Sequence, residues 1–418
     1  MRGIDWFFSS DRFDMAAIEF TEARSLILAN VAPLGVERVP LPESAGRVIA
    51  EHVAAPWDMP RINNSAMDGY AVRAADCSVP TTLSVTGYHP AGGPAVPRVE
   101  AGGAVRIMTG AAIPPGCDAV VPLEDTEDSG GRVRIRVPVD PGAHVRRRGE
   151  DVPAGRTVIL AGTPLRPPEI GMLASFGKAF VPVYRRPRVA VLSTGDELVE
   201  LGETPTPEHI VNSNSLSLAA ALSEAGAVPE ILGIARDDRE NLREKIAAGL
   251  SADALITTAG VSAGDRDLVR DVLADLSVRQ VFWKIRMRPG SPTAFGAKDG
   301  RPVFSLPGNP VSTLVTFEEL VRPALLKMMG LPEPVKPFVK ASLAHPVRKK
   351  PGRVQFLRVK VAVKEGRYVA DPAGDQNTGI LATLLLSDGL AFLPEDRTGF
   401  DAGEEVDVHL LYPRHVLP

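Results

Sequence analysis

Continuous apolar runs alternate with amphipathic segments between residues 188 and 331. The runs "RVAVLST", "PEILGIA", "DALITTAG" and "RPVFSLPG" have the length and composition of buried strands. Between two of them, Leu242, Ile246 and Leu250 recur at i, i+4 and i+8, the spacing of one helical face. The same pattern predicts helices over 216–225, 239–250, 267–276 and 312–329. Strands and helices in this alternation predict a parallel sheet covered on both faces.

Other patterns lie on either side of this stretch. Ala16, Phe20, Ala23 and Ile27 recur near helical spacing and predict a helix over 14–32, capped by Asp14. From 53 to 151, short β-rich runs are separated by glycine and proline, which predicts a compact all-β insert. Near the C-terminus, "VQFLRVKVAVKEGRYVADP" predicts a hairpin that turns at 365–366.

The expected fold class is therefore multidomain, α/β plus β. We expect a central α/β domain with a parallel sheet, a β-rich insert and a small C-terminal domain resembling a β-barrel. The predicted boundaries are 54–151 for the insert, 187–331 for the α/β domain and 332–418 for the terminal β-domain. Residues 1–53 and 152–186 are predicted to form a discontinuous N-terminal domain of helical and mixed structure.

Composition excludes several classes of protein. Among 418 residues, 44% are hydrophobic and 23% are charged, which is ordinary for a globular chain and excludes wholesale disorder. A net charge of −4 and an aromatic content of 5% give no basic field or base-stacking surface, so we expect no nucleic-acid partner. No apolar run is long enough for a membrane helix. Two cysteines, Cys77 and Cys117, support neither a disulfide framework nor a zinc site, and we expect a cytoplasmic protein.

Four loops at predicted strand ends carry the candidate chemistry: 193–198, 235–238, 257–267 and 306–313. In an open parallel sheet, ligands bind outside the carboxyl ends of the strands. Three of the loops carry acids, namely Asp196, Glu197, Asp237, Asp238, Asp265 and Asp267. Carboxylates gathered at one edge repel one another unless a cation neutralises them, and oxygen ligands suit Mg²⁺. Helix N-termini after two loops favour an anion such as phosphate. Taken alone, "STGDEL" is better explained as a capped turn, "PGNPVST" is equally explained as a rigid connection into a capped helix, and one of Asp237 and Asp238 is expected to cap the next helix. The four loops together predict a site.

Longer motifs resemble one known family. "INNSAMDGYAVR" (62–73), "RIMTGAAIPPGCDAVVPLED" (106–125), "VRRRGEDV" (145–152), "STGDEL" (193–198), "GVSAGDRD" (260–267) and "LPGNPVST" (306–313) occur in order. They resemble the molybdopterin molybdenumtransferases, that is, bacterial MoeA proteins and the E domain of gephyrin. The resemblance spans nearly the whole chain.

The resemblance implies an activity and an assembly. The implied reaction is the Mg²⁺-dependent insertion of molybdenum from molybdate into adenylated molybdopterin, which releases AMP and forms molybdenum cofactor. The implied assembly is a homodimer whose active site lies between the α/β domain of one subunit and the insert of the other. Molybdopterin adenylyltransferase and the molybdoenzymes that accept the cofactor are the implied protein partners. Adenylyltransferases share the α/β domain but lack the insert and the terminal β-domain, so the full pattern disfavours that activity.

The resemblance also implies roles for individual residues. The functional positions of the family map to Asp68, Thr109, Asp151, Glu197, Asp237 and Asp267. Glu197, Asp237 and Asp267 are expected to handle Mg²⁺ and the pyrophosphate linkage, whereas Asp68 and Thr109 are expected to act across the dimer interface. Residue type alone would make Asp68 an Asx-turn before Gly69. The substrate and oxyanion positions map to Ser262, Lys284, Arg288, Ser291, Pro307, Gly308, Pro310, Ser312, Arg358 and Thr378.

Three positions depart from the family pattern. "WKIRMRPGSP" keeps Lys284, but Arg288 and Ser291 replace two lysines of the family loop. Arg288 can still hold an oxyanion in a bidentate manner, whereas Ser291 lacks a charge. Ala259 replaces a usual glycine. The departures leave open a paralogue that prefers tungstate or has lost turnover. A peptide-binding scaffold like the gephyrin E domain is the alternative from another class.

Overall fold

A computed structural model describes residues 16–260 and 268–411. The chain forms two compact units. The first comprises Met1–Val39, Ser44–Ala50 and Pro182–Pro418, and the second comprises Pro40–Glu43 and Glu51–Val181. The four-part division expected from the sequence stays a prediction. In the described ranges, no helix is both long and apolar enough to cross a membrane.

The first unit contains a six-stranded sheet. In spatial order its strands are Val228–Ala235, Arg188–Thr194, Ala254–Thr258, Arg301–Leu306, Ala294–Lys298 and Arg279–Phe282. The first four run parallel, as predicted. The last two add antiparallel pairings, which the sequence analysis did not foresee. The hairpin that joins Ala294–Lys298 to Arg301–Leu306 turns at Asp299 and Gly300, both with positive φ, a tight turn that lets the chain reverse without a crossover helix.

Helices cover this sheet, and most lie where they were predicted. Their bounds are Ser213–Glu224, Arg239–Gly249, Leu268–Asp275, Pro310–Thr316, a π-helical turn Phe317–Val321, and Arg322–Met328. The predicted helix over 312–329 therefore begins two residues earlier and is interrupted. Leu242 and Ile246 are fully buried in one core cluster and Leu250 nearly so, which confirms the helical spacing.

The N-terminal helix is shorter than predicted. It spans Phe20–Ala29 and is preceded by Glu19 in extended conformation. Ile18 forms a parallel bridge with Ile285 instead of continuing the helix, because its backbone hydrogen bonds go to the residues on either side of Ile285. The proposed cap, Asp14, lies outside the described residues. Phe20, Ala23 and Ile27 are buried, so the predicted apolar face is correct although the bounds are not.

The C-terminal part of the first unit is a closed barrel. Five strands close on themselves: Val354–Lys364, Arg367–Pro372, Val339–Leu343, Glu405–Leu410 and Gly389–Leu393. Met287–Arg288 adds to the barrel beside Val354–Lys364, and a short helix spans Ala382–Leu385. The predicted hairpin is confirmed, since Lys364 pairs with Arg367 across Glu365 and Gly366, both with positive φ. Two smaller ribbons pair Leu198–Val199 with Ile210–Val211 and Val347–Arg348 with Gly399–Phe400.

The second unit is built on the predicted β-rich insert. Its six-stranded sheet contains, in spatial order, Ala119–Pro122, Gly69–Val72, Gly103–Ile107, Thr81–His89, Arg132–Ile135 and Thr126–Asp128. One helix spans Pro167–Ser175, and short 3-10 turns span Leu41–Glu43, Ala74–Asp76 and Leu123–Asp125. Two-stranded ribbons pair Val53–Ala54 with Thr157–Ile159 and Asn64–Ser65 with Val145–Arg146. Two further strands, Val36–Pro40 and Phe180–Tyr184, pair with each other, and most of their residues belong to the first unit.

Candidate active site

The carboxyl ends of three parallel strands surround one cavity. It has a volume of about 410 Å³, and we call it the strand-end cavity. Its lining comes from the predicted loops and from a segment that the prediction omitted: Thr194, Glu197, Leu198, Ile210, Val211, Asn212, Ser213, Asn214, Thr258, Ala259, Gly260, Pro292, Pro307, Gly308, Asn309 and Pro310. Three of the four predicted loops therefore contribute described residues to this cavity, whereas no residue of 235–238 is in its lining.

Close backbone approach shapes the floor of this cavity. A Cβ atom built on Gly308 would lie 3.1 Å from the Cβ of Ala259, which is tighter than ordinary packing allows. Ala259 itself has a φ of 69°, in the left-handed region that favours glycine. A glycine at 259 would adopt this conformation without strain, so the family departure at Ala259 has a local backbone cost.

Three carboxylates gather beside the strand-end cavity. The Asp237 amide donates to Asp196 Oδ1 at 3.2 Å, and the Asp237 carboxylate lies close enough to Asp196 and Glu197 to interact with both electrostatically. Burial, followed by the negative charges of Asp196 and Glu197, raises the pKa of the Asp237 carboxyl. Asp238 faces the other way, because its side chain accepts a hydrogen bond from the Asn241 amide and caps the helix Arg239–Gly249. The pair thus divides into one cap and one member of the acidic cluster.

The described acidic side chains supply only some of the ligands that a cation such as Mg²⁺ needs. Across 16–260 and 268–411, no group of three or more histidine, cysteine or acidic side chains is placed to hold a metal ion. Of the three predicted ligands, Glu197 and Asp237 are described, whereas Asp267 lies outside the described residues, as do Ser262 and Asp265. Mg²⁺ is commonly bound through one or two carboxylates with substrate phosphates and water completing its shell. The two described carboxylates fit that mode of binding.

Two asparagines in the lining of this cavity were missed by the sequence analysis. Asn212 Oδ1 accepts from the Ser193 hydroxyl and from the Ser215 amide, and so caps the helix Ser213–Glu224. Asn214 Nδ2 donates to the Gly308 carbonyl at 2.8 Å, while its Oδ1 atom is buried with no hydrogen-bond partner among the described residues. The "NSNS" run at the start of an amphipathic helix is an N-cap signal that could have identified this segment.

A second cavity adjoins the first across the loop 306–310. Its volume is about 680 Å³, and we call it the barrel-side cavity. It is lined by Met287, Arg288, Pro289, Gly290, Ser291, Pro292, Pro307, Asn309, Ser312, Arg353, Asp375, Gln376, Asn377 and Thr378. Pro292, Pro307 and Asn309 line both cavities, and Asn309 Nδ2 donates to the Thr378 hydroxyl at 3.1 Å. The structure therefore brings together the predicted Arg288, Ser291, Pro307, Ser312 and Thr378.

Arg358 lies beneath the loop that lines the barrel-side cavity. Its side chain is 1% exposed, and Nη2 donates to the carbonyls of Asp375 and Asn377. Gln376 completes the arrangement with two hydrogen bonds to the Arg358 backbone. Burial lowers the pKa of the Arg358 guanidinium. Arg358 thus shapes the cavity wall, and its Nε atom is buried with no partner in the described chain.

Lys284 lines neither cavity. Its carbonyl accepts a hydrogen bond from the Ile18 amide, and it precedes the buried Ile285. The structure therefore places this predicted oxyanion residue outside the described lining of both cavities.

Asp68 and Thr109 meet within the second unit. The Thr109 amide and hydroxyl both donate to Asp68 Oδ1, each at 2.7 Å. These hydrogen bonds lower the pKa of the Asp68 carboxyl. The contact spans 41 residues of sequence, so the carboxylate is held by a distant strand end.

Asp151 lines a third cavity, also within the second unit, with a volume of about 670 Å³. The lining consists of Trp57, Met59, Pro60, Arg61, Asn64, Arg146, Glu150, Asp151 and Ser175. Arg61 stacks over the Trp57 ring at 4.8 Å, and Arg148 pairs with Asp58. Part of the arginine run 146–148 therefore adjoins this cavity and part forms an ion pair.

Sequence and structure comparisons identify the relatives of this chain. Three family profiles match in order: the MoeA N-terminal region (domain I and II) at 18–177, a probable molybdopterin binding domain at 190–327 and the MoeA C-terminal region (domain IV) at 340–411. Molybdopterin molybdenumtransferase 2 of Mycobacterium tuberculosis is 39% identical over 88% of this chain and 94% of the relative. The chain belongs to the molybdopterin molybdenumtransferase family.

Further comparisons agree with this family membership. The molybdopterin molybdenumtransferase of Haemophilus influenzae is 38% identical over 93% of this chain and 98% of its own length. The crystal structure of the molybdopterin biosynthesis MoeA protein of Pyrococcus horikoshii superposes with a TM-score of 0.82 at 32% identity, and covers 95% of this chain and all of that one. The multidomain fold class predicted from the sequence is confirmed by this likeness.

Proposed function

We propose that this member of the molybdopterin molybdenumtransferase family inserts molybdenum from molybdate into adenylated molybdopterin and releases AMP. The chain is a transferase by family, and its curated relatives carry the molybdopterin molybdenumtransferase name over nearly their whole length. The observation that carries the proposal is the pair of joined cavities. One has carboxylates at parallel strand ends, the other has arginines, and both share the loop around Pro307.

The strand-end cavity suits a phosphate-bearing pterin. Gly308 presents backbone without a side chain, and Asn309 and Asn214 provide amide groups around it. We assign the backbone of Pro307, Gly308 and Pro310, together with Ser262, to contacts with the pterin and its phosphate. Gly308 lets the ligand approach its backbone N–H closely, whereas Pro307 and Pro310 have no N–H and can offer only carbonyl oxygens and ring surface.

Glu197 and Asp237, with Asp267 as the third proposed ligand, would hold Mg²⁺ at the rim of this cavity. When bound, the ion supplies positive charge to the pyrophosphate oxygens. Burial, followed by repulsion from Asp196 and Glu197, raises the pKa of Asp237, and such a carboxylate gains most from a nearby cation. The side chains contribute orientation and charge, and the leaving group is AMP.

The barrel-side cavity suits the oxyanion. Arg288 supplies a guanidinium fork that matches tetrahedral oxyanions, while Ser291, Ser312 and Thr378 supply hydroxyls. Arg358 acts by holding the 375–377 wall in place. Because Ser291 stands where the family pattern has lysine and so supplies no charge, tungstate is the second candidate substrate.

We further propose a homodimer in which the second unit of one subunit supplies Asp68, Thr109 and Asp151 to the site of its partner. The hydrogen bonds from Thr109 keep Asp68 ionised, which suits a carboxylate that orients water or a cation. Within the cytoplasm, the substrate would come from a molybdopterin adenylyltransferase and the product would pass to molybdoenzymes.

AMP release tests this proposal. Purified protein is incubated with adenylated molybdopterin, and AMP is quantified by chromatography with and without Mg²⁺, molybdate and tungstate. We expect release that requires both Mg²⁺ and an oxyanion, with Glu197→Gln at least 100-fold slower. Release that is unchanged by Mg²⁺ or by Glu197→Gln would contradict the assignment. A faster rate with tungstate than with molybdate would establish the second substrate.

A further inference from the structure

The barrel-side cavity contains a second guanidinium group that no motif singled out. Arg353 lines it together with Arg288 and Ser291. We propose that Arg353 binds the oxyanion substrate and supplies the positive charge that Ser291 does not. This inference rests on the proposed function and names a further specificity-determining residue of the same site.

Backbone contacts hold Arg353 beside the Arg288 loop. Met287 pairs with Val354 and Arg288 with Gln355 in parallel register. The Val354 amide donates to the Arg286 carbonyl at 3.1 Å, and Lys349 Nζ donates to the Arg353 carbonyl at 3.1 Å. Arg288 therefore lies in one strand and Arg353 immediately precedes the strand beside it, so the strand pairing sets their separation.

Neither guanidinium is neutralised by a protein carboxylate. Within 16–260 and 268–411, Arg288 and Arg353 form no ion pair, whereas neighbouring barrel arginines do: Arg286 pairs with Glu19, Arg348 with Asp401 and Arg397 with Glu404. Arg353 is half-buried and Arg288 is exposed, and arginines without a carboxylate partner in a concave wall are suited to an anionic ligand.

The charge balance around the cavity matches a dianion. Arg288 and Arg353 line it and Arg358 lies directly behind the wall, while Asp375 is the single carboxylate of the described lining. Asp375 is itself engaged, since its Oδ1 atom accepts from the Asn377 amide and its carbonyl accepts from Arg358. Three guanidinium groups against one carboxylate leave an excess of positive charge for a tetrahedral molybdate or tungstate.

In this proposal, Arg353 supplies to the oxyanion the positive charge that a lysine at position 291 would supply. Ser291 contributes a hydroxyl to the cavity but no charge, and its carbonyl is used by the amides of Ile285 and Thr293. A guanidinium at 353 donates through a planar fork, in contrast to the point charge of a lysine, so it favours an oxyanion that accepts two parallel hydrogen bonds.

Direct oxyanion binding tests the proposal. Full-length protein is dialysed to equilibrium against molybdate or tungstate, and bound metal is quantified by mass spectrometry, with sulfate as competitor. We expect Arg353→Gln to weaken oxyanion affinity about 10- to 100-fold, the loss typical of a charge-assisted contact. Ser291→Lys in the Arg353→Gln background should recover most of that loss. Arg348→Gln, a barrel arginine paired with Asp401, is the matched control and should bind as wild type does.

The outcomes separate this proposal from the function on which it rests. If Arg353→Gln binds within twofold of wild type while Arg288→Gln loses affinity, the oxyanion site stands and the role of Arg353 is overturned. If wild type binds neither oxyanion, both the site and the role of Arg353 are overturned, whatever the AMP assay shows. Circular dichroism and urea midpoints confirm that each variant is folded.

Discussion

Replacing Asp237 with asparagine should have opposite effects on stability without and with Mg²⁺. In the chain alone, Asp237 is repelled by Asp196 and Glu197, and burial adds to the cost of its charge. Two unit charges 4 Å apart interact by about 1 kcal/mol in water. Because these side chains are largely exposed, solvent and salt reduce the repulsion energy of each pair to about a few tenths of a kcal/mol. We therefore expect Asp237→Asn to stabilise the folded chain by about 0.5 kcal/mol.

The sign of this effect depends on pH. A raised carboxyl pKa means that the folded chain holds the proton more tightly than the unfolded chain. The repulsion is therefore complete above the raised pKa of Asp237 and absent well below its ordinary value of 3.8. The advantage of Asp237→Asn should be greatest at neutral pH and should shrink as the pH falls through the raised pKa.

Added Mg²⁺ should reverse the order. A ligand at 100 times its dissociation constant stabilises the folded state by about 2.7 kcal/mol, and a variant that binds more weakly gains less. In EDTA, the midpoint of thermal unfolding of Asp237→Asn should therefore be about 1–2 °C higher than that of wild type. In saturating Mg²⁺, wild type should have the higher midpoint.

Asp238→Asn is the matched control for this experiment. It removes the adjacent charge but keeps an N-cap, since asparagine caps as well as aspartate. This variant should gain as much from Mg²⁺ as wild type does. Equal Mg²⁺ stabilisation of Asp237→Asn and wild type would refute the assignment of Asp237 as a ligand, and a lower midpoint in EDTA would refute the repulsion.

Three other predictions concern single positions. Ala259→Gly should raise the free energy of unfolding by up to about 0.5 kcal/mol, because relief of the left-handed conformation outweighs the added freedom of the unfolded chain. A fall of more than about 1 kcal/mol in the free energy of urea unfolding would be inconsistent with that strain. Thr109→Val removes one of the two hydrogen bonds to Asp68, so the pKa of Asp68 should rise and turnover should fall about tenfold. The pH–rate profile is the readout, and an unchanged profile would argue against this role of Thr109. Glu319→Ala should cost about 3 kcal/mol in urea unfolding, because it leaves the buried His409 without its carboxylate partner; a cost below about 1 kcal/mol would show that the pair is dispensable.

Local pattern was sufficient for most of the fold. The apolar runs and the spacing of Leu242 and Ile246 identified buried strands and amphipathic helices, because burial imposes those periods directly. The antiparallel strands Arg279–Phe282 and Ala294–Lys298 were missed, since pairing direction depends on contacts far apart in sequence. The N-terminal helix was predicted too long for the same reason: Ile18 bridges Ile285, a contact that no local spacing reveals.

The candidate site shows the same division. Strand-end position was enough to gather Glu197, Asp237 and Gly308, because the carboxyl ends of parallel strands share an edge. Residue type could not show that Arg358 holds a wall from behind or that Arg353 lines the cavity. Those two roles depend on how the barrel sets the loop 375–377 beside Arg288, which is a tertiary arrangement.

The most direct test of the account is cofactor formation itself. Wild-type protein, adenylated molybdopterin, Mg²⁺ and molybdate are combined, and the product is offered to a purified apo-molybdoenzyme whose recovered activity is measured. We predict activity that depends on all four components and that falls at least 100-fold with Glu197→Gln. If the adenylated pterin binds but neither molybdate nor tungstate yields a product that activates the apoenzyme, the chain does not perform the proposed reaction.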